Sequence, residues 1–263
     1  MKNILITGCG SGLGRDAAIA LANRGHFVYA TTHTKEQADE LNRLNKKWCL
    51  PIFSFKLDIT SKIDILEIDS LRLDVLINNA SIGDSGFVGE IDVDRYREVF
   101  ETNVFSSIEL TQRVLKAMIS NKGGRIIFIS SLAGVSSIPF LSPYCASKSA
   151  LEMIGTCLNK EIKKLKGLNI PVILIEPGAY ATGFNQKNLS KQFNQLNVNS
   201  YFKNHLNKLK FKQFSYFKAI ESTNTNTIIN MYIKAVEDKY PNDKYIAPYS
   251  QGLYIKIKKV LKK

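Results

Sequence analysis

Tyr144 and Lys148 stand four residues apart in the run Pro143-Tyr144-Cys145-Ala146-Ser147-Lys148. On a helix that spacing puts both side chains on one face. A phenol loses its proton only near pH ~10, too high for a base at neutral pH. A neighbouring ammonium favours the phenolate, and bringing the phenol into the neutral range takes about 3–4 kcal/mol. A tyrosine tuned in this way can give a proton to a forming alkoxide or take one from an alcohol. Standing alone, such a pair is more often an ordinary surface tyrosine and lysine. Here Ser130-Ser131 lies shortly upstream, at the end of a strand-like run. A hydroxyl at that point can hydrogen-bond a substrate oxygen as charge develops on it.

A second cluster binds rather than reacts. Thr7-Gly8-Cys9-Gly10-Ser11-Gly12-Leu13-Gly14 follows the first apolar run, with glycines spaced Gly-x-x-x-Gly-x-Gly at Gly8, Gly12 and Gly14. Glycines let the backbone turn tightly and approach a pyrophosphate, and a following helix offers free N–H groups with a partial positive charge. A glycine cluster by itself marks only a tight turn. Its place between a strand and a helix points to a nucleotide. Three polar sites accompany it: Asp58 after the third strand, Asn78-Asn79-Ala80 at the end of the fourth, and Asn103 inside a long helical pattern, where asparagine is a poor choice.

The elements that must position these residues alternate along the chain. Strands are expected at Ile4–Ile6, Phe27–Ala30, Ile52–Leu57, Leu73–Ile77, Arg125–Ile129 and Val172–Ile175, with a seventh at Lys244–Ala247. Helices are expected at Asp16–Asn23, Lys35–Leu44, Asp94–Ile119 and Ser147–Lys163. Short apolar strands alternating with helices predict an α/β fold, a doubly wound parallel sheet with helices on both faces. The chemistry-bearing residues then collect at the carboxyl ends of the strands, where α/β folds bind ligands. One domain is expected over 1–263, with an insertion at about 183–226 rich in Asn, Gln, Lys and Phe. Within it, Leu189-Phe193-Leu196 and Phe202-Leu206-Leu209 have helical spacing. Insertions after a strand's carboxyl end often form substrate walls.

Composition sets outer limits. The 263 residues are 44% hydrophobic and 22% charged, with a formal net charge of +13. That is ordinary globular composition. The lysines read first as a solvated surface. Nucleic acid is not an expected partner, because no helix-turn-helix, zinc or aromatic RNA-binding signature accompanies the charge. The Gly-x-Ser-x-Gly elbow of many hydrolases is absent too. Cys9, Cys49, Cys145 and Cys157 form no Cys-x-x-Cys pair, so no metal site is expected and a reducing, cytoplasmic setting suits them. No secretory leader is expected at the start, because the apolar run there is too short.

In order along the chain, these motifs resemble those of the short-chain dehydrogenase/reductase family, and the likeness covers nearly the whole sequence. The steroid-, retinoid- and lipid-type subgroup is the most similar, through Ile175-Glu176-Pro177-Gly178 and the run around Tyr144. The resemblance implies a Rossmann fold, a nicotinamide cofactor and hydride transfer between it and an alcohol or carbonyl carbon. It implies a catalytic tetrad in which Tyr144 is the acid/base and Lys148 lowers its pKa and holds the nicotinamide ribose. Ser131 would orient the carbonyl, and Asn103 would anchor a water. Gly8, Ser11, Gly12, Leu13 and Gly14 would hold the pyrophosphate. Asp58 and Ile59 would flank the adenine, Asn79 with Ala80 would meet the adenosine ribose, and Pro177, Gly178 and Thr182 would line the nicotinamide. Two departures stand out: Ser81 replaces the usual glycine after Asn-Asn-Ala, and the segment between Asp58 and Asp74 is short.

Alignment with the family puts Thr32 near the adenosine 2′ position, followed by His33, and no acid occurs from Ala30 to Lys35. An acid there accepts from the ribose hydroxyls of NAD and repels a 2′-phosphate. Its absence predicts NADP as the preferred cofactor, with NAD as the alternative. Further expectations are a small alcohol or ketone substrate, hydrophobic in character, and a homodimer or homotetramer built on the helices carrying Asn103 and Tyr144. The lysine-rich C-terminal tail, Tyr254 to Lys263, is read as a solvated end, with weak contact to an anionic membrane surface as the alternative. A non-catalytic dinucleotide-binding regulator on the same fold is the rival reading of the whole chain.

Overall fold

Seven strands form one parallel sheet: β1 Asn3–Ile6, β2 Phe27–Thr32, β3 Ile52–Lys56, β4 Val75–Asn78, β5 Arg125–Ile129, β6 Val172–Pro177 and β7 Lys244–Ala247. Their order across the sheet is β3-β2-β1-β4-β5-β6-β7. The chain winds outward one way from β1 and the other way from β4, so the connections leaving β1 and β4 diverge and open a crevice beyond their carboxyl ends. The structure, a computed structural model, describes residues 1–195 and 200–261. Leu196, one of the expected helical positions, and the final two lysines lie outside the described residues.

Both faces of the sheet are apolar because alternate residues of each strand point to opposite sides. Ile4, Ile6, Val28, Ile77, Ile127 and Ile173 pack with Ala17, Ala18 and Leu21 of α1 (Gly12–Asn23) and with Ile228, Tyr232 and Val236 of α9 (Asn226–Glu237). Leu5, Leu76, Ile126, Phe128 and Leu174 face the other way. They meet Leu110, Val114 and Met118 of α5 (Ser106–Ser120) and Leu151 and Ile162 of α6 (Ser142–Ile162).

Several helix bounds differ from the sequence expectation, and two of the differences move candidate residues. The long helical pattern is not one helix: α4 (Val93–Phe100) passes through a π-turn over Glu101–Phe105 before α5 begins. The amide of Ser106 bonds Glu101 O, five residues back, so the turn is wider than an α-turn. And α6 starts five residues earlier than expected, with Pro143 in its first turn, a position where a missing N–H costs nothing. Between β2 and β3 runs α2 (Lys35–Trp48), started by a reciprocal cap between Thr34 and Gln37. The short segment before β4 has room only for a five-residue α3 (Lys62–Leu66) and a 3₁₀ turn.

The insertion after β6 forms α7 (Phe184–Gln195) and α8 (Leu206–Ile220). Leu189 and Phe217 close a small third core with Leu141, over the end of the sheet. The C-terminal segment is a helix, α10 (Tyr249–Leu261), with Leu253, Tyr254, Lys256, Ile257 and Lys258 exposed. Among the described residues, no helix is long and apolar enough to cross a membrane.

Candidate active site

The crevice at the strand ends is a cavity of about 1710 Å³. That exceeds the ~300–1,000 Å³ of a typical small-ligand pocket and leaves room for a dinucleotide and a second molecule. The glycine turn forms one end. Gly8 has φ +72°, and a Cβ there would sit 2.7 Å from Ala80 Cα. At Gly14 a Cβ would fall 2.3 Å from Asn79 Nδ2 and 2.6 Å from Gly8 O. These glycines are therefore required by close backbone approach. Ser11 caps α1 in extended conformation without a side-chain hydrogen bond, and no acid occupies the first turn. The N–H groups at that helix end thus remain available to an anion beside Ser11, Gly12, Leu13 and Gly14, all of which line the cavity. This arrangement fits a pyrophosphate.

Thr7 and Asn79 lock the turn to β4. Thr7 Oγ1 accepts from the amides of Asn79 (3.0 Å) and Ala80 (2.9 Å). The Asn79 amide donates to Thr7 O and Gly8 O, and its Oδ1 accepts from the Tyr232 hydroxyl at 2.9 Å. Its side chain is thus committed to shaping the turn while the residue still forms cavity wall. Asp58 and Ile59 line the neighbouring wall, and Asp58 accepts from the amide and hydroxyl of Thr60. Ser81 is not among the residues with positive φ, so the missing glycine leaves no strain there.

Ser131, Tyr144 and Lys148 come together on the opposite wall. Ser131 ends the β5 segment as the cap of a 3₁₀ turn; its Oγ accepts from the Ala133 amide and donates to Pro177 O. Lys148 is 2% exposed, and its Nζ donates to Ile129 O at 2.8 Å. Burial pushes its ammonium down to about 7, and Glu152, one turn further along α6, partly holds it up. Burial pushes the Tyr144 phenol up to about 12, against a hydrogen bond from Ser131 that favours the phenolate. The depression of the phenol expected from Lys148 is therefore not found. The ammonium lies 5.7 Å from the Tyr144 ring centroid and is turned toward the Ile129 carbonyl, so desolvation dominates. At neutral pH Tyr144 holds its proton.

Two expected residues do not reach the cavity. Thr32 is fully buried, and its hydroxyl donates to Thr34 O at 2.7 Å. It lies in β2, which runs on past Ala30, and its neighbour His33 forms the wall instead, 74% exposed and with Nδ1 3.8 Å from Asp58 Oδ2. Asn103 is 1% exposed. Its Oδ1 accepts from the Ile82 amide, and its Nδ2 donates to Ile82 O and Ser147 Oγ. It braces a wall residue from behind. Every other expected contact lines the cavity: Gly8, Ala80, Pro177, Gly178 and Thr182 among them, with Thr182 packed over Gly12.

The insertion supplies a far wall, as the sequence led one to expect, but the share of the C-terminal segment in it was missed. Leu209, Lys212, Gln213, Tyr216 and Phe217 of α8 line it, together with Gln251, Tyr254, Ile255 and Lys258 of α10. Gln251 is a joint: its Oε1 accepts from the Ala179 amide and its Nε2 donates to Ile220 O, both at 2.8 Å. The helical spacing of apolar residues in the C-terminal tail was the available signal, masked by its lysines.

Comparison with known proteins agrees with this geometry. Residues 2–192 match the family model for short chain dehydrogenase. An uncharacterized oxidoreductase, YusZ, of Bacillus subtilis is 36% identical over 196 residues, covering 72% of this chain and 69% of that protein. An NADPH-dependent 3-dehydrocapnine reductase of Ornithobacterium rhinotracheale is 32% identical over 194 residues, covering 69% of this chain and 66% of that one. A short-chain dehydrogenase structure from Streptomyces avermitilis superposes with a TM-score of 0.79 at 23% identity, over 98% of this chain and 92% of the other. With the family model spanning most of the sequence, the chain belongs to the short chain dehydrogenase family of oxidoreductases.

Proposed function

We propose that the protein is an NADP(H)-preferring oxidoreductase of a small, hydrophobic alcohol or carbonyl compound. The observation that carries this reading is the convergence of Ser131, Tyr144 and Lys148 on the cavity that the glycine turn also borders. When bound, the nicotinamide supplies or accepts the hydride. The chain's own residues do the rest. The uncapped end of α1 and Gly8, Gly12 and Gly14 receive the pyrophosphate. Asp58, Ile59, Asn79 and Ala80 wall the adenosine end, and Pro177, Gly178 and Thr182 wall the nicotinamide end. Ser131 orients the substrate oxygen, and Tyr144, protonated at neutral pH, delivers its proton to that oxygen in reduction. Lys148 holds the ribose. Asn103 serves as a positioning residue, through Ile82 and Ser147.

Ile138, Leu141, Leu189 and Phe217 make the substrate end apolar, which supports a hydrophobic substrate. NADP is supported by the absence of a carboxylate from Thr31 to Lys35, by the exposed imidazole of His33 at the cavity wall, and by the NADPH-dependent relative. Assembly as a homodimer or homotetramer is supported by Phe105 and Met153, 53% and 65% exposed on the segments expected to meet a second subunit.

The test is turnover of a ketone and alcohol panel with each cofactor, by the wild type and by Tyr144→Phe. The wild type should show the higher kcat/KM with NADP. The variant should bind the cofactor normally while kcat falls about 10²-fold or more. Undiminished turnover in Tyr144→Phe removes the reading and leaves the regulator alternative standing; a clear preference for NAD removes the cofactor assignment alone.

A further inference from the structure

The net charge of this chain is not spread over it. Residues 177–220 hold seven lysines and residues 244–263 hold six, and neither stretch contains an aspartate or glutamate. Those 13 lysines equal the net charge of the whole chain, so the remainder is balanced. Lys244 is occupied by Glu152 and Glu176. The other lysines fall on or beside α7, α8 and α10, the helices around the far wall of the cavity.

The same helices carry exposed apolar side chains. Phe211 of α8 is 76% exposed, and Leu253, Ile257 and Leu261 of α10 are 42%, 49% and 80% exposed. Leu253, Ile257 and Leu261 recur every four residues, so they form one stripe. Lys256 and Lys258, both exposed, flank it on either side. Among the described residues, Lys208, Lys218, Lys256 and Lys258 have no ion-pair partner. The two helices meet at Ile220 with Gln251 and again at Tyr216 near Tyr254, so they run antiparallel along the rim. Tyr216 and Tyr254 are 49% and 62% exposed and also line the cavity, so one of its mouths lies between these helices, beside others at exposed lining residues such as His33 and Thr60.

We infer that the outer faces of α8 and α10 dock on an anionic lipid bilayer, with the cavity opening onto the lipid. An apolar stripe bordered by lysines is the pattern of a helix lying in a membrane interface. Its apolar residues enter the headgroup boundary while the lysines gain from anionic headgroups. A second copy of this chain would bring the same positive charge to the contact, which opposes self-association there. A nucleic acid satisfies the lysines but gives Leu253, Ile257 and Leu261 nothing to bury against. A bilayer satisfies both. The docking stands apart from the assigned reaction; only its corollary, that substrate enters from the bilayer, rests on that reading.

The experiment is cosedimentation of the full chain with vesicles of phosphatidylcholine alone, or of phosphatidylcholine mixed with phosphatidylserine. The protein should pellet with the mixed vesicles only, and added salt should release it. The triple variant Lys208→Glu, Lys218→Glu, Lys256→Glu should bind at least about a hundredfold more weakly, from roughly fivefold per lysine. Ile257→Ser should weaken binding on its own and keeps the test valid if the triple variant misfolds. Turnover of a water-soluble ketone without vesicles should be unchanged in both variants. Failure to bind mixed vesicles, equal binding to neutral ones, or binding indifferent to either variant overturns the docking. So does salt-sensitive capture of duplex DNA as strong as that of vesicles and indifferent to Ile257→Ser, or an oligomer that Ile257→Ser dissolves. If docking holds while Tyr144→Phe keeps full turnover, the surface stands and the reaction assignment falls.

Discussion

Lys148 is a charge-bearing side chain placed where charge is expensive. It is 2% exposed, its ammonium donates to the Ile129 carbonyl, and burial pushes it from the ordinary value of 10.5 down to about 7. The unfolded chain therefore keeps this proton up to about 10.5 and the folded chain only up to about 7. Between those values the unfolded state binds more protons, so folding stability rises with pH; below them the full cost of burying the ammonium is present. Lys148→Met should lose turnover and also gain stability relative to the wild type, most at pH 6, with the gain shrinking by pH 10. Melting temperatures of both proteins across that range check it. A difference that does not vary with pH would show that Lys148 is not buried as a charge. The identities of Ser131, Tyr144 and Lys148 were legible in the sequence because their types and order are restrictive. Their ionisation was not, because desolvation depends on the walls that three distant segments build. Thr32 shows the same limit: a strand longer by two residues turned its hydroxyl inward and gave the cavity His33.

At the scale of elements, the π-turn between α4 and α5 is what brings Asn103 to Ile82. The amide bonds both backbone groups of Ile82 and the Ser147 hydroxyl, and so ties the turn to the loop after β4 and to α6. Asn103→Leu leaves the half-buried Ile82 amide and carbonyl without the side chain that bonds them, at no more than about 1–3 kcal/mol for each group. The variant should melt at a lower temperature. It should also lose kcat, with cofactor affinity largely kept, because the glycine turn is anchored separately by Thr7 and Asn79. A fall in cofactor affinity equal to the fall in kcat would refute that division. The seven strands were legible as short apolar runs, and their alternation explains which residues face α1 and α9 and which face α5 and α6. The π-turn was not, since its hydrophobic spacing passes for an uninterrupted helix. The poor helix-former in the middle was the one sign of it.

For the whole molecule, the balanced part of the chain and the lysine-rich part occupy different regions. Phe105 and Met153 lie on the segment before α5 and on α6, outside the two lysine-rich stretches of the sequence. An assembly through those residues would bury both of their exposed side chains. Light scattering at micromolar concentration should report a dimer or tetramer, and Met153→Lys should shift it toward monomer; a wild type that is monomeric throughout refutes the assembly. Counting charge over the whole sequence hid the asymmetry, and the α/β pattern had no place for α10. Yet Gln251 in that last helix bonds Ala179, next to the loop that follows β6, and Ile220, at the end of α8. The C-terminal helix is thus a keystone. A chain cut before Tyr249 loses a cavity wall and frees two backbone groups at once, so removing the last helix amounts to mutating the active site. An affinity tag belongs at the other terminus, where β1 begins at Asn3 and no cavity residue precedes Gly8.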